Sequence, residues 1–402
     1  MIDRQNLQTF HPFTRLNRLL EDIPPGPAPL GAAAPLALSV GEPKGQPPAF
    51  AAEEIAANAT GWSSYPPARG TKTYLDACGA WLERRYNFPA GAIDPQRHIL
   101  PLPGSREGLF FATLATVPDV SGLTGADRPV VLIPNPFYHV YAGAAVAAGA
   151  EPVFLPTTSE TGFLPDYRAV PEDILHRTAL CILCSPSNPQ GAAAKPQQLR
   201  DLLVLARKHD FVVAFDECYA EIYTVTPPSG ALDIVGELGG TLDNLLIFHS
   251  LSKRSNAAGL RCGFAVGDQK LIDALDALLR VGGAGVPLPV LAAGARLWQD
   301  DEHARAVRAF YRRNFEIAEQ VLGGRFGFTR PDGGFFLWLD VGDGEAAAKK
   351  LWRKAGIRVL PGAYMSVMDS EGYNPGAKYI RIALVYDAEV TKAALGRIAE
   401  IL

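Results

Sequence analysis

Residues 248–264 read F-H-S-L-S-K-R-S-N-A-A-G-L-R-C-G-F, and the fold turns on what flanks them. An apolar run, Leu245-Leu246-Ile247-Phe248, leads in and has the character of a buried strand. A second short run, Gly263-Phe264-Ala265-Val266, leads out in the same way. The loop between them carries Lys253, with Ser250 and Ser252 before it and Arg261 eight residues after. Small hydroxyls, an amine and a rigid guanidinium on one loop suit a phosphate gripped beside a reactive amine. A solvated loop with ordinary charges has the same composition, so the rest of the chain must decide.

Working outward, the chain from Val130 alternates short apolar runs with longer helical patterns. The runs are 130–133, 152–155, 180–184, 211–215 and 245–248, rich in Val, Ile, Leu and Phe. Such runs separated by helices predict an α/β fold with a mostly parallel sheet buried on both faces. Ligands in these sheets bind at the carboxyl ends of the strands. Four of these ends are chemically rich: Pro134 to Tyr141 is an aromatic cluster, Ser185 to Gly191 holds Asn188, Asp216-Glu217-Cys218-Tyr219 follows the fourth run, and the lysine loop follows the fifth. Together they suit one ring-shaped anionic ligand.

The flanks are less uniform. Leu36 to Val40 reads as a strand ending at Gly41. The pattern Leu75, Ala77, Cys78, Trp81, Leu82 is helical, and Ile99 to Pro103 is a strand followed by Gly104-Ser105-Arg106. Ser105 is a candidate helix cap, and the helix start offers free N–H groups to an anion. From 288 a helical pattern runs past Phe315, followed by strand-like segments at 335–339, 357–359 and 379–384. We therefore expect an N-terminal arm joined to a smaller α+β domain (1–40), a large domain (41–287) and the rest of the smaller domain (288–402).

The chain has 402 residues, 48 % hydrophobic and 20 % charged, with a net charge of −4. That balance predicts a soluble two-domain protein and argues against nucleic-acid binding. No apolar run is long enough to span a membrane, and the N-terminal stretch, with Arg4, Arg15, Arg18, Glu21 and Asp22, is no signal core. A cytoplasmic location is expected. Five cysteines suggest reduced thiols. Cys181 and Cys184 lie three apart in one run, so alternation sends them to opposite faces, and no metal is expected there.

Two charged residues stand out from their patterns. Asp216 ends a buried run, where a carboxylate requires a helix to cap, an arginine or a ligand cation. Arg381 sits inside the apolar run 379–384 and requires a carboxylate, internal or from a ligand.

The spacing S-x-S-K with arginine at plus eight resembles the lysine loop of fold-type I pyridoxal-phosphate aminotransferases (class I/II). The likeness extends over roughly 36–395. It includes Tyr65-Pro66-Pro67-Ala68-Arg69-Gly70, Gly333 to Trp338 and Leu360-Pro361-Gly362. The resemblance implies a seven-stranded-type sheet sandwiched by helices and pyridoxal 5'-phosphate as cofactor. It implies Lys253 as Schiff-base amine and general base, Asp216 on the ring nitrogen, and Tyr219 and Asn188 on the phenolic oxygen. Tyr138 would stack on the ring, while Ser105, Arg106, Ser250, Ser252 and Arg261 would serve the phosphate. Arg381, with Gly41 and Asn188, would take the substrate α-carboxylate. Tyr65 would reach the phosphate of the other subunit in a homodimer.

Ser39 to Lys44, Pro134 to Tyr141, Asp216 to Tyr223 and Phe248 to Gly263 are similar to one branch, bacterial N-succinyldiaminopimelate aminotransferase. That branch implies an exchange between glutamate/2-oxoglutarate and N-succinyl-LL-2,6-diaminopimelate, in lysine biosynthesis. A distal carboxylate would need a cation, with Arg280 or Lys44 as candidates by position. The chain departs from the family at Gln190, where threonine is usual, and in the Gly-rich stretch 282–285, where the branch carries an aromatic and a histidine. Alternatives are an aminotransferase for aspartate, alanine or aromatic amino acids, a C–S β-lyase, and a cofactor-binding module of a transcription regulator. For the last, the roughly 35 residues ahead of the first run leave no room for a DNA-binding domain.

Overall fold

The computed structural model describes residues 11–31, 34–123, 127–283 and 285–402. The start of the expected N-terminal arm, with Arg4, and Ala284 of the Gly-rich stretch lie outside the described residues.

The strands, in chain order, are β1 (Leu36–Ala37), β2 (Ile99–Leu102), β3 (Val130–Asn135), β4 (Glu151–Pro156), β5 (Thr178–Cys184), β6 (Val212–Asp216), β7 (Leu245–Ser250), β8 (Gly263–Gly267), β9 (Phe336–Asp340), β10 (Ile357–Arg358), β11 (Leu360–Pro361) and β12 (Tyr379–Ala383). Seven of them form one sheet in the order β2-β8-β7-β6-β5-β3-β4. All pairings are parallel except those of β8, which runs against both β2 and β7. The expected α/β fold with a mostly parallel sheet is what the chain adopts.

Strand alternation explains why both faces are apolar. Val130, Leu132, Cys181, Leu183, Val213, Phe215 and Ile247 enter one core. Val131, Ile133, Ile182, Cys184, Ala214, Leu246 and Phe248 enter the other. Each face is then covered by helices, as a sheet with no polar side requires. Cys181 and Cys184 fall on opposite faces, as their spacing predicted.

The strand expected over 36–40 pairs only at Leu36–Ala37, in parallel with β10. Beyond it the backbone is drawn elsewhere. The Leu38 carbonyl accepts from Ala383 N, that of Ser39 from Arg381, and that of Gly41 from Lys253. β9, β12 and β11 form a separate antiparallel sheet with its own core, built from Leu337, Leu339, Ile380 and Ile382 against Leu351, Leu395 and Ile398 of two helices.

The helical pattern from 288 is two helices, Leu288–Gln299 and Glu302–Leu322. The first places Leu291, Ala295 and Trp298 in the core that holds Tyr74 and Trp81, on the large sheet. The helical run breaks at Asp300-Asp301, and the second helix carries Val307 and Tyr311 into the other core of the large sheet and Phe315, Ile317 and Leu322 into the core of the smaller one. Buried Arg254 fixes that break, donating to Leu297 O (2.6 Å), Asp300 O (3.0 Å) and Asp301 Oδ1 (2.7 Å).

Candidate active site

The carboxyl ends of β3, β5, β6 and β7 open into a cavity of about 480 Å3. Gly41, Ser105, Arg106, Tyr138, Asn188, Asp216, Tyr219, Ser250, Ser252, Lys253, Arg261 and Arg381 all line it. Residues 340 positions apart in sequence thus converge on one space, because β12 of the second sheet delivers Arg381 to the edge of the first.

Lys253 sits on a four-residue helix, Leu251–Arg254. Ser250 caps it, its Oγ accepting from Ser252 N at 3.1 Å and lying 3.0 Å from Ser252 Oγ. The lysine Nζ donates to Gly41 O at 2.5 Å and lies 5.2 Å from the Phe335 ring centre. Burial pushes its pKa down to about 8. An amine with so little water and no carboxylate bonded to it is much closer to neutral than a surface lysine, which suits a nucleophile or base.

Asp216 is the last residue of β6 and is buried. Tyr141 Oη donates to its Oδ2 at 2.6 Å, and Cys218 N donates to Oδ1 at 3.3 Å. Among the described residues no cation pairs with it, and no helix starts from it. Burial raises its pKa. A buried carboxylate held by two donors but lacking a counter-charge fits a protonated ring nitrogen. Tyr219 lies edge-on to Phe335 and Phe336, at 5.4 and 5.9 Å between ring centres.

Arg381 is buried in β12. Nη1 donates to Asn188 Oδ1 at 2.8 Å and Nη2 to Ser39 O at 2.7 Å, while Nε is buried without a partner. The guanidinium stands 4.3 Å from the Phe336 ring centre, and burial lowers its pKa to about 10. The internal salt bridge that would have explained it is absent among the described residues. What remains is a desolvated cation with an unspent N–H, which fits a ligand carboxylate. Because Asn188 gives its oxygen to Arg381, its amide N–H groups are left to serve as donors.

The anion end is built on the helix Ser105–Thr116. Here the expectation for Ser105 is corrected: Gly104 holds the capping position, and the Ser105 side chain caps nothing. Gly104 has φ +120° and ψ +161°, a conformation open to glycine alone, and a Cβ there would lie 2.5 Å from Arg261 Nη2. Arg261 Nη2 meets both oxygens of Glu107, at 2.9 and 2.8 Å. Arg106 Nε donates to Tyr138 Oη at 2.7 Å. Helix N–H groups, three serines (Ser105, Ser250 and Ser252) and two guanidiniums around a glycine-sized gap fit a phosphate.

Three expectations fall elsewhere. Tyr65 is 100 % exposed and does not line the cavity of its own chain. Arg280 is spent on Asp276 one turn back on its helix, at 3.0 Å, and Lys44 on Glu42 at 2.8 Å; neither lines the cavity. Both are thus engaged by acids of their own chain. The sequence reading also missed Tyr141, Pro12, Phe13, His139, Leu360 and Met365, which share the lining. Tyr141 carried a signal, standing three residues after Tyr138 at a helix start; the others come from distant segments.

Fold and site together define a pyridoxal-phosphate enzyme of fold type I. The family model for aminotransferase class I and II matches residues 34–398, and the chain belongs to that family: it is a pyridoxal-phosphate-dependent aminotransferase. It is 31 % identical over 342 residues to LL-diaminopimelate aminotransferase of Dehalococcoides mccartyi, covering 83 % of this chain and 82 % of that one. An aminotransferase of Neisseria meningitidis superposes with a TM-score of 0.89 at 37 % identity, over 97 % of this chain and 96 % of that one. A probable N-succinyldiaminopimelate aminotransferase of Thermus thermophilus does so with 0.82 at 26 % identity, over 97 % and 100 %. Among the described residues, no helix is long and apolar enough to cross a membrane.

Proposed function

We propose that this aminotransferase moves an amino group between glutamate/2-oxoglutarate and a long amino acid of the diaminopimelate class, with N-succinyl-LL-2,6-diaminopimelate as the preferred partner. The observation that carries the reading is Arg381, a buried guanidinium with no carboxylate partner among the described residues, in a cavity that also holds a lysine of lowered pKa.

Bound pyridoxal phosphate supplies the electron sink for carbanion chemistry. The chain's own residues do the rest. Arg381 and Asn188 grip the α-carboxylate and so orient the Cα–H bond. Lys253, with its pKa near 8, removes that proton and returns it on the other side of the exchange. Asp216, accepting from Tyr141 Oη and Cys218 N, would pair with the protonated ring nitrogen and be held charged by it. Tyr219 and Asn188 would donate to the phenolic oxygen, and Tyr138 would lie against the ring. Ser105, Arg106, Ser250, Ser252 and Arg261 hold the phosphate.

The substrate reading is supported by the names of the two diaminopimelate relatives and by the charge of the cavity. Four cations line it, Arg106, Lys253, Arg261 and Arg381, against two acids, Asp216 and Glu42, and Glu42 is already paired with Lys44. An added distal carboxylate is thus better matched than an added distal ammonium. We further propose a homodimer with shared sites: Trp62, Tyr65 and Val281 are exposed apolar side chains near the place where Gly285 lies against Pro66.

The test is a donor panel on the purified holoenzyme, following glutamate formed from 2-oxoglutarate. The account expects the highest kcat/KM with N-succinyl-LL-2,6-diaminopimelate. A higher value with unsuccinylated LL-diaminopimelate, aspartate, alanine or an aromatic amino acid contradicts the substrate assignment. Release of pyruvate and ammonia without an acceptor marks a β-lyase.

A further inference from the structure

One wall of the cavity is lashed to the large sheet by a side chain the reaction does not use. Residues 362–376 form a lobe closed by its own hydrogen bonds. Ser366 Oγ is bonded to Gly362 O (2.9 Å) and to Asn374 Oδ1 (2.6 Å), and the Asp369 carboxylate accepts from Glu371 N and Tyr373 N. Buried Met365 projects from the lobe into the lining, beside Leu360, Pro12 and Phe13.

Three hydrogen bonds tie that stretch to the end of β3. Phe137 N donates to Met365 O at 2.8 Å. Asn135, the last residue of β3, uses both ends of its amide on one residue: Nδ2 donates to Val367 O at 2.9 Å, and Oδ1 accepts from Val367 N at 3.1 Å. The Asn135 carbonyl is itself fixed by Thr157, through N (2.9 Å) and Oγ1 (3.0 Å). Thr157 Oγ1 in turn accepts from Gln190 Nε2 at 2.8 Å. Gln190 is the departure from the family's usual threonine, two residues beyond the Asn188 that meets Arg381. Through the chain from Asn188 to Gln190 and the bonds beyond it, the carboxylate grip is thus linked to the backbone at Met365 and Val367.

Methionine is unbranched, with three rotatable bonds, so it makes a defined wall only where its backbone is held. We propose that Asn135 is a positioning residue for the substrate: by pairing with Val367 it fixes Met365 as the surface on which the side chain of a long amino donor packs. The inference rests on the long-substrate reading above. Truncating Asn135 leaves the half-buried N–H and C=O of Val367 without their partners, and the lobe then loosens toward water.

The experiment uses the holoenzyme and the variants Asn135→Ala, Asn135→Asp (same size, one donor lost), Met365→Ala and Asn135→Ala/Met365→Ala. Hydrogen exchange across 362–376 should quicken about tenfold in Asn135→Ala, and less in Asn135→Asp, while peptides from β5 and β6 keep their rates. KM for the long donor that wild type uses best should rise about tenfold with little change in kcat, and the cofactor absorption should stay as in wild type. In the Met365→Ala background the same Asn135 change should alter KM little, because the wall it positions is gone. Unchanged exchange in the lobe, or a full added effect of Asn135→Ala on top of Met365→Ala, overturns the proposal. A wild-type preference for short donors would instead refute the substrate reading, and the exchange data would still decide whether Asn135 holds the lobe.

Discussion

Replacing Lys253 by Met tests the electrostatics of the site without any substrate. In the cofactor-free protein the Lys253 ammonium is confined beside Gly41 O and the Phe335 ring, with its pKa lowered by burial from the usual 10.5 to about 8. At about 1.4 kcal/mol per pH unit, that places roughly 3 kcal/mol against the charged form in the folded state. The sign follows from proton counting. Between pH 8 and 10.5 the unfolded chain holds more protons at this lysine than the folded one, so its contribution to stability rises with pH across that window. At pH 7 both states are charged and the full penalty applies. The Lys253→Met variant lacks the group, so titrations common to both proteins cancel in the difference. The advantage of the variant over wild type should therefore shrink by about 2–3 kcal/mol between pH 7 and 10.5. Urea unfolding of both cofactor-free proteins at several pH values reads it directly. A difference that is constant with pH, or that widens as pH rises, refutes the claim that Lys253 is held poorly solvated.

Other outcomes follow from the same geometry. Asp216→Asn should fold and bind cofactor yet lose about one to two decades in kcat, since a charge-assisted contact is worth about 1.5–3 kcal/mol; near-wild-type turnover would remove Asp216 from the ring nitrogen. Gly104→Ala puts a methyl against Arg261 and strains the backbone, so cofactor dissociation measured by equilibrium dialysis should rise about tenfold or more, while wild-type retention would show that this gap is not part of the phosphate grip. Mixing Lys253→Ala with Tyr65→Phe protein should recover activity in hybrid dimers, because one site collects both defects and the other neither; no recovery after confirmed subunit exchange would end the shared-site proposal.

The sheet was legible because each strand obeys a two-residue period on both faces, and the site residues closest to strand ends were legible with it. Asn188, Asp216 and Lys253 each stand within a few residues of the end of an apolar run, and topology does the rest. Arg381 stood out because a guanidinium inside a strand must be compensated. What stayed hidden depends on distance in sequence or on backbone angle. Nothing local to Phe13 or Met365 says that they share a wall, and the letters Gly104-Ser105 do not reveal a φ of +120°, which moves the cap from serine to glycine. The pairing of Arg280 was in view although the sequence reading did not use it: Asp276 stands one helical turn before it. The packing of the helix after 288 on the large sheet was not legible in its apolar stripe, and Arg254, which fixes the break behind it, reads as an ordinary charge.

Borohydride reduction of the purified holoenzyme, followed by peptide mapping, tests the central claim most directly. The account predicts a stable pyridoxyl adduct on the peptide that contains Lys253 and bleaching of the yellow colour. An adduct confined to another lysine, or a colourless protein that binds no cofactor, would contradict it.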